Sequence, residues 1–316
     1  MGKGALSVIE ILLATYNSEK YLTDQLDSLF EQTFEDWHLT VQDDGSTDKT
    51  VDILRKYAAV YPEKMTVHVN EKNLGGAKYN FYDMLLKADA DYVMTCDHDD
   101  VWLPDKMERT MATMKDLEAQ NAPDIPLLVH TDLTVVDENQ TIVAASMFFQ
   151  QQLDAGRTSL RELLVQNMVT GCTVMVNRAL LSLLPRNIPA NMVMHDWWMA
   201  LVAAAFGAIG FVKDPTILYR QHGNNEVGAK NTRKLGYNAK RAARFMEARQ
   251  AVADTYLQAA DFAALYGDQL RPADFELVRV YADMGEYGKL KRIRTLRKRG
   301  LWKNTPARRM GQILFC

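Results

Sequence analysis

The sequence predicts an α/β protein in which a mostly parallel sheet carries helices on both faces and a C-terminal helical extension follows. Two features carry that expectation. Through the first hundred residues, short β-rich runs alternate with segments of helical spacing, an order that calls for parallel strands joined by crossover helices. Beyond residue 229 the β-rich runs stop, and helix-compatible segments rich in Lys and Arg take over.

The elements follow in chain order. Residues 6–13 are a β-rich run, and 18–30 place Leu22, Leu26, Leu29 and Phe30 at helical spacing. Residues 37–41 form the second strand, and Ser46 is expected to cap a helix through Val51, Ile53, Leu54 and Tyr57. Residues 65–69 give the third strand and 75–86 the next helix. Residues 92–96 give the fourth strand, after which Pro104 is expected to start a helix through Met114 and Leu117. Ligands of such sheets sit beyond the carboxyl ends of the strands. That gathers residues 15–17, 43–46 and 97–100 on one rim. Short strands are expected at 127–130, 141–143 and 172–176, a helix at 196–206, and strands at 208–212 and 216–220. A polar loop spans 220–230, and helices occupy 237–266, 272–284 and 286–299.

Composition excludes several classes. The 47% apolar and 24% charged content is that of a folded globular chain, not a disordered one. Cys96, Cys172 and Cys316 are too few and too far apart for a disulfide framework or a metal knot, so each reads as a buried small hydrophobe in a reducing compartment. Glu10 interrupts the first apolar run and no small-residue cleavage site follows, so no secretory leader is expected. The apolar stretch 197–212 is shorter than the roughly 20 residues of a membrane span and reads as a buried helix and strand. The net charge of −3 conceals a division. Residues 1–229 hold 18 basic and 32 acidic side chains, and residues 230–316 hold 19 basic and 8 acidic.

The rim collects carboxylates. Asp43 and Asp44 are adjacent, and Asp97, Asp99 and Asp100 crowd four residues. Carboxylates at that density repel one another, and a divalent cation among them relieves the repulsion. Mg²⁺ and Mn²⁺ sites typically use one or two carboxylates, with phosphate oxygens and water completing the shell. An acidic first turn ahead of the Pro104 helix explains the same residues without a metal. No Walker loop, Gly-x-Gly-x-x-Gly or Gly-x-Ser-x-Gly occurs, and the six His do not cluster.

Four segments occur in order: Leu13-Ala14-Thr15-Tyr16-Asn17, Val41-Gln42-Asp43-Asp44-Gly45-Ser46-Thr47-Asp48, Asn73-Leu74-Gly75 and Asp97-His98-Asp99-Asp100-Val101-Trp102. Together they resemble the family 2 glycosyltransferases with the GT-A fold. Joined by His195-Asp196-Trp197-Trp198 and Tyr219-Arg220-Gln221-His222-Gly223-Asn224-Asn225, they are similar in particular to bacterial polysaccharide rhamnosyltransferases of that family. The resemblance covers residues 6–229. It implies a nucleotide-sugar-binding catalytic domain over 1–229, followed by a basic helical region over 230–316.

The resemblance also implies metal-dependent, inverting transfer of a sugar from a nucleotide diphosphate, with dTDP-L-rhamnose the expected donor. Thr15, Tyr16 and Asn17 would line the nucleobase pocket, Asp43 would accept from the base imide, and Asp44 and Gly45 would shape the same wall. Asn73, Gly75 and Lys78 would lie against the donor. Asp97 would face ribose and metal, and Asp99 would ligate the Mn²⁺ or Mg²⁺. His222 is expected as a third ligand, since neutral imidazole suits Mn²⁺, and Arg220 as a phosphate contact. Asp196 matches the catalytic base. The family more often has Glu before that Asp, where this chain has His195. Thr170, Gly171, His195 and Trp197 are expected on the acceptor side, with one of Trp197 and Trp198 in the core. An acceptor hydroxyl is a poor nucleophile, so a carboxylate must take its proton, and a cation stabilises the departing diphosphate.

The tail carries ten Lys and Arg between residues 286 and 309 against Glu286 alone, with Leu290, Ile293, Leu296 and Leu301 as an apolar stripe. Such a segment suits an anionic inner membrane surface, each basic residue near the lipid adding about 1 kcal/mol. Docking on the acidic body is the other reading of the same pattern. A cytoplasmic enzyme peripheral to the inner face of the membrane is therefore expected, acting on a glycan or lipid-linked glycan acceptor. No nucleic acid partner is expected, because the acidic body repels phosphate chains, and homo-oligomerisation is left open. Two alternatives stand beside this reading. A nucleotidyltransferase would need a Gly-, Arg- and Lys-rich loop where Thr15-Tyr16-Asn17-Ser18 stands. A non-catalytic nucleotide-sugar-binding or scaffold protein would not need the intact acidic set. Within the enzyme reading, glucosyl, galactosyl or GlcNAc donors are the other candidates.

Overall fold

The first strand, β1 (Ile9–Thr15), is buried along almost its whole length, as a central strand covered on both faces must be. A computed structural model describes the protein over residues 9–223 and 237–316. The start of the first apolar run, Asn224 and Asn225, most of the polar loop and the expected boundary at 229/230 lie outside the described residues.

From β1 the chain runs through α1 (Leu22–Phe30), β2 (Trp37–Asp43), α2 (Thr50–Val60), β3 (Met65–Val69), α3 (Ala77–Lys87) and β4 (Tyr92–Cys96). It continues through β5 (Val101–Trp102), α4 (Lys106–Gln120), β6 (Leu127–Thr131), β7 (Thr134–Val136) and β8 (Ile142–Ala144). Two short helices, α5 (Met147–Gln150) and α6 (Leu160–Val165), precede a 3-10 turn at Gly171–Thr173 and β9 (Met175–Asn177). Then come α7 (Arg178–Leu183), α8 (His195–Phe206), β10 (Ala208–Val212) and β11 (Ile217–Arg220). The tail forms α9 (Tyr237–Tyr266), α10 (Pro272–Asp283), α11 (Lys289–Arg299) and α12 (Pro306–Phe315).

Seven strands make the main sheet in the order β10-β6-β9-β4-β1-β2-β3. All its pairs are parallel except the two that β9 makes with β4 and β6. Period-two alternation sorts β1 between two cores. Leu12 and Ala14 meet α3, α6, α7 and α8 on one face, while Ile9, Ile11 and Leu13 meet α1 and α4 on the other. The expected fold class, a mostly parallel sheet with helices on both faces, is the observed one. A second sheet, β5-β11-β7-β8, contains the expected strands near 141–143 and 216–220 as β8 and β11, whereas β5 and β7, two and three residues long, gave no sequence pattern.

Two local expectations change. Ser46 does not cap α2; its N–H and hydroxyl donate to Asp43 at 2.8 and 2.6 Å, and Asp48 accepts instead from the N–H and hydroxyl of Thr50. Pro104 lies ahead of α4 rather than at its first turn, and its carbonyl accepts from Thr33.

The tail docks on the body. Phe262 and Tyr266 of α9 pack against Trp198 of α8, with the Phe262 ring edge-on at 5.5 Å. Val278, Tyr281, Leu296 and Leu301 belong to the same buried core as Leu163, Leu164 and Met199. Further on, the Trp302 carbonyl accepts from Arg157, and the Asn304 N–H donates to Gln166 at 2.9 Å. Phe262→Ala should therefore cost about 3–5 kcal/mol. Urea unfolding should stay a single transition for body and tail. Two separated transitions would show that the helices dock without sharing the core's stability.

Candidate active site

Three strand ends build the rim. After β1, Asn17 takes a left-handed conformation (φ 48°), its N–H donates to Ser46 Oγ at 2.8 Å, and its side-chain oxygen accepts from the Thr47 N–H. After β2, Asp44 accepts through one oxygen from Asn70 and the Leu74 N–H at 2.9 and 2.8 Å, and Asn73 donates to its carbonyl. Gly45 turns there at φ 80°, a conformation that favours glycine. After β4 come Asp97 to Asp100. Thr15, Tyr16, Asn17, Asp44, Asn73, Gly75, Asp97 and Asp99 all line one cleft of about 1300 Å³.

Three expected donor contacts are corrected. Asp43 is wholly buried and absent from the cleft lining. Its carboxylate accepts from Thr15 Oγ1 at 2.8 Å and from Ser46, so it braces the β1 and β2 loops against each other. Lys78 is also absent from the lining and donates to the Met192 carbonyl at 2.9 Å, which ties α3 to the chain ahead of α8. Arg220 turns away from the cleft. Its guanidinium pairs with Asp24 at 2.8 Å and lies 4.4 Å over the Tyr21 ring, while its N–H donates to Asp100 at 3.1 Å. Each side chain found a nearer partner within the protein than the cleft offers. Gly45 likewise shapes the turn without lining the cleft.

The carboxylates after β4 divide into two groups. Asp97, Asp100 and Cys172 hold donor atoms within 4.8 Å of one another, whereas Asp99 pairs with His222 at 2.8 Å. Burial pushes the Asp100 carboxyl well up, and neighbouring Asp99 and Asp97 push it further. Burial likewise raises the Cys172 thiol. Burial therefore disfavours the charged form of both. Burial opposes charge on Asp99 too, but the His222 hydrogen bond and the His98 imidazole outweigh it and hold that carboxyl below its usual range. Asp97, Asp99 and His222 face the cleft and Asp100 and Cys172 do not. Two carboxylates and an imidazole are the donor types that Mn²⁺ and Mg²⁺ take, while the donor atoms that lie within 4.8 Å of one another are those of Asp97, Asp100 and Cys172.

The other end of the cleft is set by α8. Asp196 lies in its first turn, and the Trp197 N–H donates to its carboxylate at 2.6 Å. Burial pushes Asp196 up to about 7, offset only in part by bonds from Trp197, Asn167 and Gly171. His195 is buried and stacked on Phe81 at 4.4 Å, and both its ring nitrogens are without a hydrogen-bond partner. Burial pulls it down to about 3, so the ring is neutral. Gly171 approaches both side chains; a Cβ there would lie 3.2 Å from His195 Nε2 and 3.7 Å from Asp196. Thr170, Gly171, His195, Asp196 and Trp197 share the cleft wall, and Trp197 donates to the Leu163 carbonyl while Trp198 is core.

Among the cleft residues that carried no signal in the sequence are Tyr21, Phe81, Gln166, Asn167 and Arg308. The first four sit in ordinary helix or loop context. Arg308 comes from α12, in a tail whose basic residues read equally well as solvated charges.

The Asp196 linkage has a definite sign. Its folded value is raised, so the stability it contributes is present below the ordinary range near 3.8 and is lost as pH rises through about 7. Asp196→Asn carries no such loss. Its Tm advantage over the parent should be larger at pH 8 than at pH 5, and a pH-independent difference would show that Asp196 titrates normally.

Comparison with known proteins places this geometry. The family model described as glycosyl transferase family 2 matches residues 10–180. The "dTDP-rhamnosyl transferase RfbG" of Shigella flexneri is 28% identical over 231 residues, 71% of this chain and 76% of that protein. Among solved structures, TarS residues 1–349 of S. aureus in complex with UDP-GlcNAc aligns with a TM-score of 0.56 at 18% identity, covering 94% of this chain and 93% of that one. The mannosyltransferase PcManGT of Pyrobaculum calidifontis, in complex with GDP-Man and Mn²⁺, aligns with a TM-score of 0.51 at 17% identity, covering 98% and 84%.

Proposed function

Because the chain belongs to glycosyl transferase family 2, we propose that it transfers L-rhamnose from dTDP-L-rhamnose to a cell-surface glycan or its lipid-linked precursor. One observation carries the reading. A single cleft is lined by Asp196, whose carboxyl is raised to about 7, and, apart from it, by Asp97, Asp99 and His222, residue types that a divalent cation takes. A displacement at a sugar carbon needs both, on opposite sides of that carbon. The choice of rhamnose draws on RfbG, whose name describes a dTDP-rhamnosyl transferase, and on the motifs shared with that group.

In the proposed reaction, Asp196 accepts the proton of the acceptor hydroxyl as its oxygen bonds to the anomeric carbon. The bond from that carbon to the diphosphate breaks, and the nucleoside diphosphate leaves with the electron pair. Thr15, Tyr16, Asn17 and Asp44 flank the base, and Asn73 and Gly75 close the wall beside them. Mn²⁺ or Mg²⁺ held by Asp97, Asp99 and His222 would offset the charge on the diphosphate. A proton acceptor near 7 is matched to this work at neutral pH. His195 stays neutral beside it and adds no charge that would depress Asp196.

Nucleotide sugars tested by melting shift with Mn²⁺ or Mg²⁺ should single out dTDP-rhamnose over UDP-GlcNAc and GDP-mannose. Asp196→Asn should keep the shift and lose transfer by about 10²–10⁴-fold, and the parent's rate should rise with pH through about 7. A shift from none of the donors, or full transfer by Asp196→Asn, would overturn the assignment.

The tail supports a second part of the reading, association with an anionic membrane surface. Leu290, Met310 and Leu314 are 85, 72 and 53% exposed among the Lys and Arg of α11 and α12. No helix among the described residues is long and apolar enough to cross a membrane. The protein should therefore float with vesicles containing phosphatidylglycerol and not with pure phosphatidylcholine, and Leu290→Asp with Met310→Asp should abolish flotation. Equal flotation with both vesicle types would remove the electrostatic account.

A further inference from the structure

A second, smaller cavity of about 270 Å³ adjoins the cleft, and Gln166 and Arg308 line both. Its lining adds Lys303 and Gln312 and the apolar Ala248, Val252 and Phe315. Two cationic side chains, Lys303 and Arg308, thus share one cavity with an apolar surface.

Lys303 and Arg308 make no ion pair with a carboxylate among the described residues. Arg308 is anchored by one nitrogen, which donates to the Gln151 carbonyl at 2.8 Å, leaving the rest of its fork to face the cavities. The main chain of Lys303 is fixed from both sides. Its N–H donates to Gln312 at 3.1 Å, and its carbonyl accepts from Arg309 at 2.9 Å. Burial holds the Lys303 ammonium below its usual range, and the neighbouring Arg308 lowers it further. Two cations placed side by side in a half-buried pocket repel each other unless an anion joins them. A guanidinium fork with an adjacent ammonium matches the oxygens of a phosphate.

We propose that Arg308 of α12 and Lys303 of the turn before it, which share the smaller cavity, bind a phosphate group on the acceptor. The word "acceptor" rests on the glycosyl-transfer reading; the anion site itself does not. The donor's own diphosphate belongs at the opposite end, beside Asp97 and Asp99, where carboxylates bar an anion that brings no cation. Phosphate can reach the site in two ways, as the head of a lipid carrier whose hydrocarbon meets Val252 and Phe315, or as a phosphodiester within a glycan.

Full-length protein saturated with dTDP and Mn²⁺ would be titrated calorimetrically with farnesyl phosphate, inorganic phosphate and farnesol. Farnesyl phosphate should bind and farnesol should not. Lys303→Ala with Arg308→Ala should weaken phosphate binding at least tenfold. Lys303→Arg with Arg308→Lys should hold it within about threefold, with melting temperatures confirming that all variants fold. Farnesyl phosphate binding at least tenfold tighter than inorganic phosphate identifies a lipid carrier, and comparable binding identifies a phosphodiester glycan. Failure of both phosphates to bind, or undiminished binding by the double alanine variant, would overturn the site. Failure of dTDP itself to bind would instead count against the glycosyl-transfer reading and leave the phosphate titration readable.

Discussion

Three aspartates within four residues at the end of one strand cannot all stay ionised without compensation, and much of the surrounding structure supplies it. Asp100 is sealed below the rim, where burial disfavours its charged form and it accepts from the Arg220 N–H. Asp99 is balanced by His222. That leaves Asp97 and Asp99 turned toward the cleft. The second sheet exists to a large extent around this arrangement. β11 pairs with β5 just beyond the aspartates, and its last residue, Arg220, is buried against Tyr21 and Asp24. His222 follows two residues later with its ring 4.9 Å from Tyr21. Arg220 therefore holds the strand that delivers His222 to the cleft.

The opposite end of the cleft obeys another logic. There the environment is made apolar enough to raise a single carboxyl. Phe81 covers His195, Gly171 permits close approach, and the neutral imidazole next to Asp196 contributes no charge of its own. A cationic neighbour would have pulled Asp196 back toward the ordinary carboxylate range.

What could be read from the sequence followed from short-range logic. A strand, a turn and the polar residues after it lie within a few positions of one another, so Thr15–Asn17, Asp44, Asp97 and Asp99 were placed on one rim before any contact was known. Asn73 and Asp196 entered only through the resemblance to family 2 glycosyltransferases. Asp43, Lys78 and Arg220 misled because a polar side chain near a site carries no mark of its partner. Their partners, Thr15 and Ser46, the Met192 carbonyl and Asp24, are set by packing between elements 3 to 196 residues apart in sequence. Ser46 illustrates the point on a small scale, because its hydroxyl chose a buried carboxylate over a helix end that Asp48 was able to cap.

The tail was the hardest part to read, and the reason is general. A basic amphipathic helix buries its apolar stripe equally well in lipid or against protein, and hydrophobic spacing cannot separate the two. Here one basic segment divides its apolar residues. Leu296 and Leu301 go into the core while Leu290 stays outside with the Lys and Arg of its helix. The division of charge then acquires a structural meaning. A body with 32 acidic and 18 basic side chains can hold a cation at its rim but has little to offer an anion. The cation Arg308 at the cleft comes from outside that body, from α12. The near-neutral total is only the sum of the two segments; it is the folding of the tail onto the body that sets Arg308 in the same cleft as Asp97 and Asp99.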